Sequence, residues 1–304
     1  MSGFHHEAVF YATDEEYLAG LMPDLREAID GDGTILAAVA DDKVALLRGA
    51  LGADADRVRF TDMERLGRNP ACIIPAWREF MATASSGPRL GIGEPAWPGR
   101  SDAELNECRR HESLLNLAFG DGEPWRLLCP YDVRGLPADV LADARHNHPH
   151  VNREPCEDYV DPSVVLGWDG PLASPGADTA EMVFTREDLA LVRRFVAEHA
   201  AGAGLAGERV SDLVLAVNEL ATNSMRHGGG RGLLSVWREN GTFLCEVHDR
   251  GRITDPLAGR DVPFDLRGGG RGLWLVNHLC DLVQVRSSEA GNVIRLHMSI
   301  DAAS

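Results

Sequence analysis

The sequence predicts a two-domain α/β protein, with an N-terminal domain on a mostly parallel sheet and a C-terminal α/β sandwich. Three observations predict it. The 304 residues make about two domains at roughly 150 residues each. Before residue 150, short apolar runs alternate with amphipathic stretches, the pattern of strands joined by covering helices. After residue 180 the order changes to two helices, a hairpin, a helix and two more strands.

The elements follow in chain order. Residues 8–12, 35–40, 57–60, 89–93 and 125–129 read as buried strands, and 14–29, 43–51, 71–82, 102–119 and 137–145 as helices. Thr13 with Glu16 three residues on resembles a capping box. Helices on both faces of such a sheet leave ligands beyond the carboxyl ends of its strands. Pro155, Pro162, Pro171 and Pro175 then stand among Gly, Ser and Asp, and prolines at that density break helices. This stretch reads as a linker, apolar enough at Tyr159, Val164, Val165, Leu166 and Trp168 to pack as an extended strap. The expected domains are 1–150, the linker 151–180, and 181–304. In the last, 186–199 and 209–226 read as helices, 233–238 and 242–248 as strands. Asn240-Gly241 between those strands is a hairpin signal. A helix over 272–280 and strands over 282–286 and 293–299 follow, so helices on one face of a mixed sheet are the economical packing.

Composition narrows the function classes. The formal net charge is −17, from 47 acidic and 30 basic residues, which argues against direct nucleic-acid binding and leaves room for a basic protein partner. No apolar run approaches the roughly 18 residues of a membrane helix, and the start MSGFHHEAVF has no secretion signal, so the expected location is cytoplasmic. Six cysteines stand singly without a CxxC pair and read as small buried residues in a reducing compartment.

Three C-terminal motifs carry chemistry. In ELATNSMRHG (219–228), Glu219 and Asn223 are four apart on a helix, opposite the apolar stripe of Leu213, Val217 and Leu220. A carboxylate above an amide oxygen suits Mg²⁺, which takes oxygen ligands and keeps waters, although this spacing is common on solvated faces. In HDRG (248–251), Asp249 at a strand end can accept from an exocyclic amine, and Gly251 admits a flat ring; an ordinary turn has the same residues. RGGGRGLWL (267–275) puts Gly268, Gly269, Gly270 and Gly272 before a helix, where free N–H groups and the helix dipole bind anions; a flexible hinge would look alike.

In that order the three motifs resemble the GHKL (Bergerat) ATPase superfamily over residues 184–298, and most of all its small anti-sigma-factor serine/threonine kinases. The resemblance implies ATP and Mg²⁺ as cofactors, with Asn223 holding the metal and Glu219 acting as base. It implies Asp249 at the adenine amine, Gly251 beside the ring, and Gly268, Gly270 and Gly272 around the phosphates, with Leu273 in the same contact set. Arg271 could touch a phosphate or stay solvated. It further implies a sigma factor and a STAS-type antagonist protein as partners, and a possible homodimer. Two positions depart from the family: Ile253 replaces a glycine, and Gly291-Asn292 replaces Gly-Thr before the last strand, removing a hydrogen bond that threonine supplies. Histidine-kinase activity is the rival within the superfamily. It needs a histidine followed by an acidic residue, whereas His199 precedes two alanines, and His227 suits a capping or phosphate-facing role.

The N-terminal half lacks GxxxxGK[ST]. Its segments FHHEAVFYATDEEYLAG, GIGEPAW, ECRRHESLLNLAF and LLCPYD resemble the MEDS sensory domain, which implies a RecA-like fold and a small-molecule ligand. They put His5, His6, Glu94, Trp97, Glu107, Arg110, His111, Glu112, Tyr131 and Asp132 near element ends, where pocket and plain surface roles weigh equally. A metal site from His5, His6, His111 and Cys129 is conceivable, without close ligand spacing behind it. Three readings remain: a sensor-controlled anti-sigma kinase, a module that holds nucleotide without transfer, and a ligand-responsive adaptor on a degenerate scaffold.

Overall fold

The computed structural model describes residues 3–83, 87–162, 170–176, 178–261 and 271–300. They form two units, Met1–Trp168 and Asp169–Ser304. In the first, the apolar runs become β1 (Phe4–Tyr11), β2 (Thr34–Val39), β3 (Val58–Asp62), β4 (Arg89–Gly93) and β5 (Trp125–Asp132), continued by the short β6 (His150–Val151) and β7 (Glu154–Pro155). The sheet order is β3-β2-β4-β5-β1-β6-β7, parallel except for the β6–β7 hairpin. The helices are α1 (Asp14–Asp30), α2 (Asp41–Leu51), α3 (Met63–Leu66), α4 (Ile73–Thr83), α5 (Asp102–Phe119) and α6 (Ala138–Asn147).

Side chains alternate across a strand, and both faces of this sheet are covered. Tyr17, Leu21 and Leu25 of α1 and Leu47 of α2 bury against Val9, Tyr11, Ile35, Val39 and Leu128. The opposite face carries an aromatic cluster in which Trp125 contacts Phe4, Trp77, Phe80 and Phe119, from β1, α4 and α5. Between β1 and α1 lie only Ala12 and Thr13. Thr13 Oγ1 accepts from Glu16 N (3.2 Å), while the Glu16 carboxylate takes the N–H of Ala12 (2.7 Å). Asp14, Glu15 and Glu16 fill the first turn of α1. Such a helix start repels phosphate, so this turn is no phosphate cradle.

The second unit runs β8 (Ala180–Thr185), α7 (Leu189–Gly202), α8 (Gly207–His227), β9 (Arg231–Glu239), β10 (Thr242–Asp249), α9 (Arg271–Leu279), β11 (Leu282–Ser288) and β12 (Gly291–Ser299). The sheet order is β11-β12-β10-β9-β8. Every pairing described in it is antiparallel, which corrects the expected mixed sheet. The hairpin turns at Asn240 and Gly241, both with positive φ (47° and 76°), as a tight turn matched to strand twist requires. Apolar faces of α7 and α8, among them Val192, Val196, Leu213, Val217 and Leu220, pack on Phe184, Val236, Val247, Ile294 and Leu296. Residues 170–176, within the expected linker, lie on this unit: the carbonyls of Gly170 and Ala173 accept from Arg286 and Arg295. Cys108, Cys129, Cys245 and Cys280 are buried and every cysteine is a free thiol. Among the described residues no helix is long and apolar enough to cross a membrane.

Candidate functional site

The C-terminal site grows out of one rung of the sheet. Asp249 is the last residue of β10 and pairs with Asn292 of β12, which pairs in turn with Ser287 of β11. Asp249 Oδ1 accepts from the N–H of Gly251 (2.8 Å) and from Asn292 Nδ2 (2.9 Å). Its Oδ2 accepts from the hydroxyl of Ser224 (2.7 Å), on the helix that also carries Glu219 and Asn223. A carboxylate has about four acceptor positions, so three donors leave one lone pair on Oδ2. Backbone glycine is obligatory around this carboxylate: a Cβ at Gly228 would stand 2.5 Å from Asp249 Cγ, and one at Gly251 2.9 Å from Asp249 Oδ1.

The second half of the site is the contact between α8 and the start of α9. Glu219 and Asn223 are half-buried on the exposed stripe of α8, one turn apart. A Cβ placed on Gly272 would lie 3.0 Å from Asn223 Nδ2 and 3.2 Å from Glu219 Oε2. The start of α9 therefore faces the carboxylate–amide pair directly. Arg271 is exposed at the head of α9. Leu273 is buried in the core against Gly259, leaving only its backbone for a ligand. Gly268 and Gly270 lie outside the described residues.

Sequence reasoning missed Ser224, although its place one turn before Gly228 on the Glu219 helix marked it. It took Asn292 for a lost hydrogen bond, whereas the amide donates directly to Asp249. Ile253 packs against the domain core and its N–H donates to Ser287 Oγ (2.8 Å). His199 is tied by Nδ1 to the carbonyl of Phe195 (2.8 Å), and His227 ends α8 exposed. A groove of about 530 Å³ lined by Leu233, His248 and Val293 also touches Asp249. Those side chains alternate with the core residues Leu234, Val247 and Ile294, so the groove opens on the sheet face away from α8.

In the N-terminal unit the structure gathers two sets of the named residues. At the carboxyl ends of β1 and β4, the Tyr11 hydroxyl donates to Glu94 Oε1 (2.6 Å), and Lys43 Nζ lies 5.2 Å from the centre of the Tyr11 ring. Burial pushes the Glu94 carboxyl up to about 7, against the opposing pull of the Tyr11 hydroxyl and Lys43. On the other face His6, Glu112, Cys129 and His148 meet, all buried, with ligand atoms within 4.8 Å of one another. Burial, followed by the neighbouring His148, pushes His6 down to about 4. Tyr131 stands edge-on to His148, with centroids 5.6 Å apart. The remaining residues do not join this group. His5 pairs with Glu7 (2.9 Å), Trp97 stacks under Arg100, Asp132 caps the N–H of Arg134 (2.8 Å), and Glu107 and His111 are buried on α5. Arg110 is half-buried on the same helix.

Comparison with known proteins agrees with this division. Residues 5–149 match the family model described as MEDS, the MEthanogen/methylotroph, DcmR Sensory domain. Residues 182–298 match the histidine kinase-like ATPase domain. Among solved structures, the RsbU and RsbW domains of Rv1364c from Mycobacterium tuberculosis are similar at 18% identity and a TM-score of 0.30, covering 40% of this chain and 32% of that one. The Acinetobacter baumannii histidine kinase AdeS is similar at 14% identity and a TM-score of 0.25, covering 46% of this chain and 73% of that one. The match thus spans about a third of the first of these proteins. No curated protein matches. The chain carries a MEDS sensory domain followed by a GHKL-type, histidine kinase-like ATPase domain, the build of an ATP-binding regulatory protein.

Proposed function

We propose that the C-terminal domain binds ATP with Mg²⁺ and passes the terminal phosphoryl group to a serine or threonine of an antagonist protein, as an anti-sigma factor under control of the N-terminal domain. The observation that carries the reading is the bare Cα of Gly272 against Asn223 and Glu219. It leaves backbone N–H groups, an amide oxygen and a carboxylate converging where a phosphate chain and a hard cation fit. The free lone pair of Asp249 fits an exocyclic amine at the other end of the site.

Bound ATP supplies the transferable phosphoryl group, and Mg²⁺ offsets its charge. The chain's own residues do the rest. Asn223 presents its amide oxygen as a ligand, and Asp249 fixes the base end. The start of α9 holds negative charge with its N–H groups. Glu219 accepts the proton of the attacking hydroxyl. The net charge of −17 suits a basic sigma factor as the partner to be released.

Glu219→Gln tests the assignment. Phosphoryl transfer from radiolabelled ATP to STAS-type antagonist proteins should fall by about 10²–10⁴-fold, while ADP affinity stays within a few-fold of the parent. ADP binding without labelling of any antagonist by the parent protein would favour a non-catalytic nucleotide-holding module. Calorimetry showing no nucleotide binding by the folded protein would overturn the reading.

A further inference from the structure

The polar cluster inside the N-terminal unit has a chemistry of its own, independent of the nucleotide reading. Register builds it. β1 and β5 are parallel, with His6 opposite Leu127 and Ala8 opposite Cys129, so His6 and Cys129 project from the same sheet face on neighbouring strands. Helix α5 covers that face and sets Glu112 and Asn116 one turn apart above them. His148 enters from the end of α6. The contacts are short: His6 Nε2 to Glu112 Oε2 3.0 Å, His148 Nε2 to the same oxygen 3.3 Å, and Cys129 Sγ to His6 Nε2 3.4 Å.

The thiol can donate to His6 Nε2, but the two contacts on Glu112 cannot be ordinary hydrogen bonds from neutral imidazoles. His148 Nδ1 lies 2.7 Å from the carbonyl of Ala144, which can only accept, so the ring hydrogen sits on Nδ1. Asn116 donates its Nδ2 to the carbonyl of Asn147 (2.7 Å), which turns its Oδ1 toward His6 Nδ1 (3.0 Å) and fixes that tautomer too. Both Nε2 lone pairs then point at one carboxylate oxygen. Glu112 Oε1 and Oε2 and His148 Nε2 accordingly have no hydrogen-bond partner, although all are buried. Unpaired buried acceptors are costly, and three of them converging beside His6 Nε2 call for a cation.

We propose that His6, Glu112, Cys129 and His148 bind a divalent zinc-type cation. Two imidazole nitrogens, a thiolate and a carboxylate form a zinc donor set. Tetrahedral bonds of about 2.0–2.3 Å put neighbouring donors roughly 3.3–3.8 Å apart. The three contacts of 3.0–3.4 Å open by a few tenths of an ångström, and the other pairs, all within 4.8 Å, close by roughly 1–1.5 Å at most. The Asn116 and Ala144 oxygens supply the outer shell that orients ligating histidines. Beside Glu112 lies a cavity of about 20 Å³, lined also by Tyr131, Ala144 and Asn147, with room for one water next to the completed tetrahedron.

The test uses the full-length protein, purified under reducing conditions, stripped with chelator and reloaded with Zn²⁺ or Co²⁺ alone. Elemental analysis should give one zinc per chain. Co²⁺ should give the visible ligand-field bands of a tetrahedral site and a near-ultraviolet thiolate-to-cobalt band. Cys129→Ser should lose the thiolate band, His148→Ala should bind less than a tenth as tightly, and Asn116→Ala should weaken binding by about 10–100-fold. His5→Ala and His111→Ala should leave spectrum and stoichiometry unchanged. The cobalt spectrum of the parent needs no variant, so a misfolded mutant cannot mask the answer. A parent protein that stays folded and takes up no metal would overturn the proposal. So would a spectrum unaltered in a folded Cys129→Ser, or metal lost with His111 instead of His148.

Discussion

Replacing Asp249 by Asn keeps size and shape and changes only what the side chain can accept. Three donors reach this carboxylate: Gly251 N–H and Asn292 Nδ2 on Oδ1, and the Ser224 hydroxyl on Oδ2. An asparagine oxygen would stay at Oδ1, where two N–H donors demand it. Its NH₂ would take the place of Oδ2, and the Ser224 hydroxyl can rotate to accept from it. The fold thus loses charge assistance but no partner. Charged hydrogen bonds contribute about 1.5–3 kcal/mol and neutral ones about 0.5–1.5. At a half-buried position the stability cost should be about 1–2 kcal/mol, a fall of a few degrees in Tm. The ligand fares worse, because the one vacant lone pair becomes an N–H aimed at an adenine amine. Losing a charged hydrogen bond costs about 1.5–3 kcal/mol, or roughly 10–150-fold in affinity. Calorimetry with Mg·ADP, beside a thermal melt of the same sample, measures both. A folded Asp249→Asn protein that binds Mg·ADP as tightly as the parent would refute the reasoning.

Gly272→Ala should cut nucleotide affinity several-fold, because the new methyl presses on Asn223 and Glu219. Alanine is also the better helix former by up to about 1 kcal/mol, so Tm should hold or rise, and a parallel fall in Tm would show the loss to be global. Gly232→Ala drives a methyl into the buried ring of Phe184 and should destabilise the C-terminal domain by about 1–3 kcal/mol in urea unfolding. Burial raises Glu94 from 4.5 to about 7, so between those pH values the folded state holds a proton that the unfolded state has lost. Stability should therefore fall as pH rises through that window, by up to roughly 3 kcal/mol, and Glu94→Gln should abolish that component; an identical pH profile in the variant would refute it.

Element order was legible because apolar periodicity was strong: β4 and α5 were read at their observed bounds. What escaped were pieces whose signal is tertiary. The β6–β7 hairpin has two residues per strand, too few to show a period, and its Pro155 read as linker. β8 was hidden by the same Pro- and Gly-rich surroundings. In the N-terminal cluster, His6, Glu112 and Cys129 were each singled out from sequence. His6 and Cys129 were grouped with His5 and His111 in a conceivable metal site, but Glu112 was not, because a parallel register joins residues more than a hundred positions apart. His148 was the member overlooked, although His146, His148 and His150 form an alternating run after a helix. His5 and His111, its rivals as ligands, differ from His6 and Glu112 by one position each. That step is enough to turn a side chain to the other face of a strand or around a helix.

The C-terminal site lies where three rows of the core turn polar together. Across β10, β12 and β11 the helix-facing rungs read Cys245–Leu296–Val283, then Val247–Ile294–Val285, then Asp249–Asn292–Ser287. Two apolar rungs hold the helices down, and the third hands its hydrogen bonds upward to Ser224 and outward to the loop. Both departures from the family pattern sit on this third rung's chain of bonds. Ile253 N–H donates to Ser287 Oγ, the Ser287 hydroxyl to Asn292 Oδ1 (2.7 Å), and Asn292 Nδ2 to Asp249. An amide can accept at one end while donating at the other, so Asn292 passes the loop's position on to the carboxylate. Ile253, meanwhile, anchors the same loop by packing on the core. Read separately from the sequence, the two substitutions count as losses, but in the folded domain Asn292 is a link in the bonds that hold Asp249 in place, and the Ile253 side chain anchors the loop whose N–H begins them.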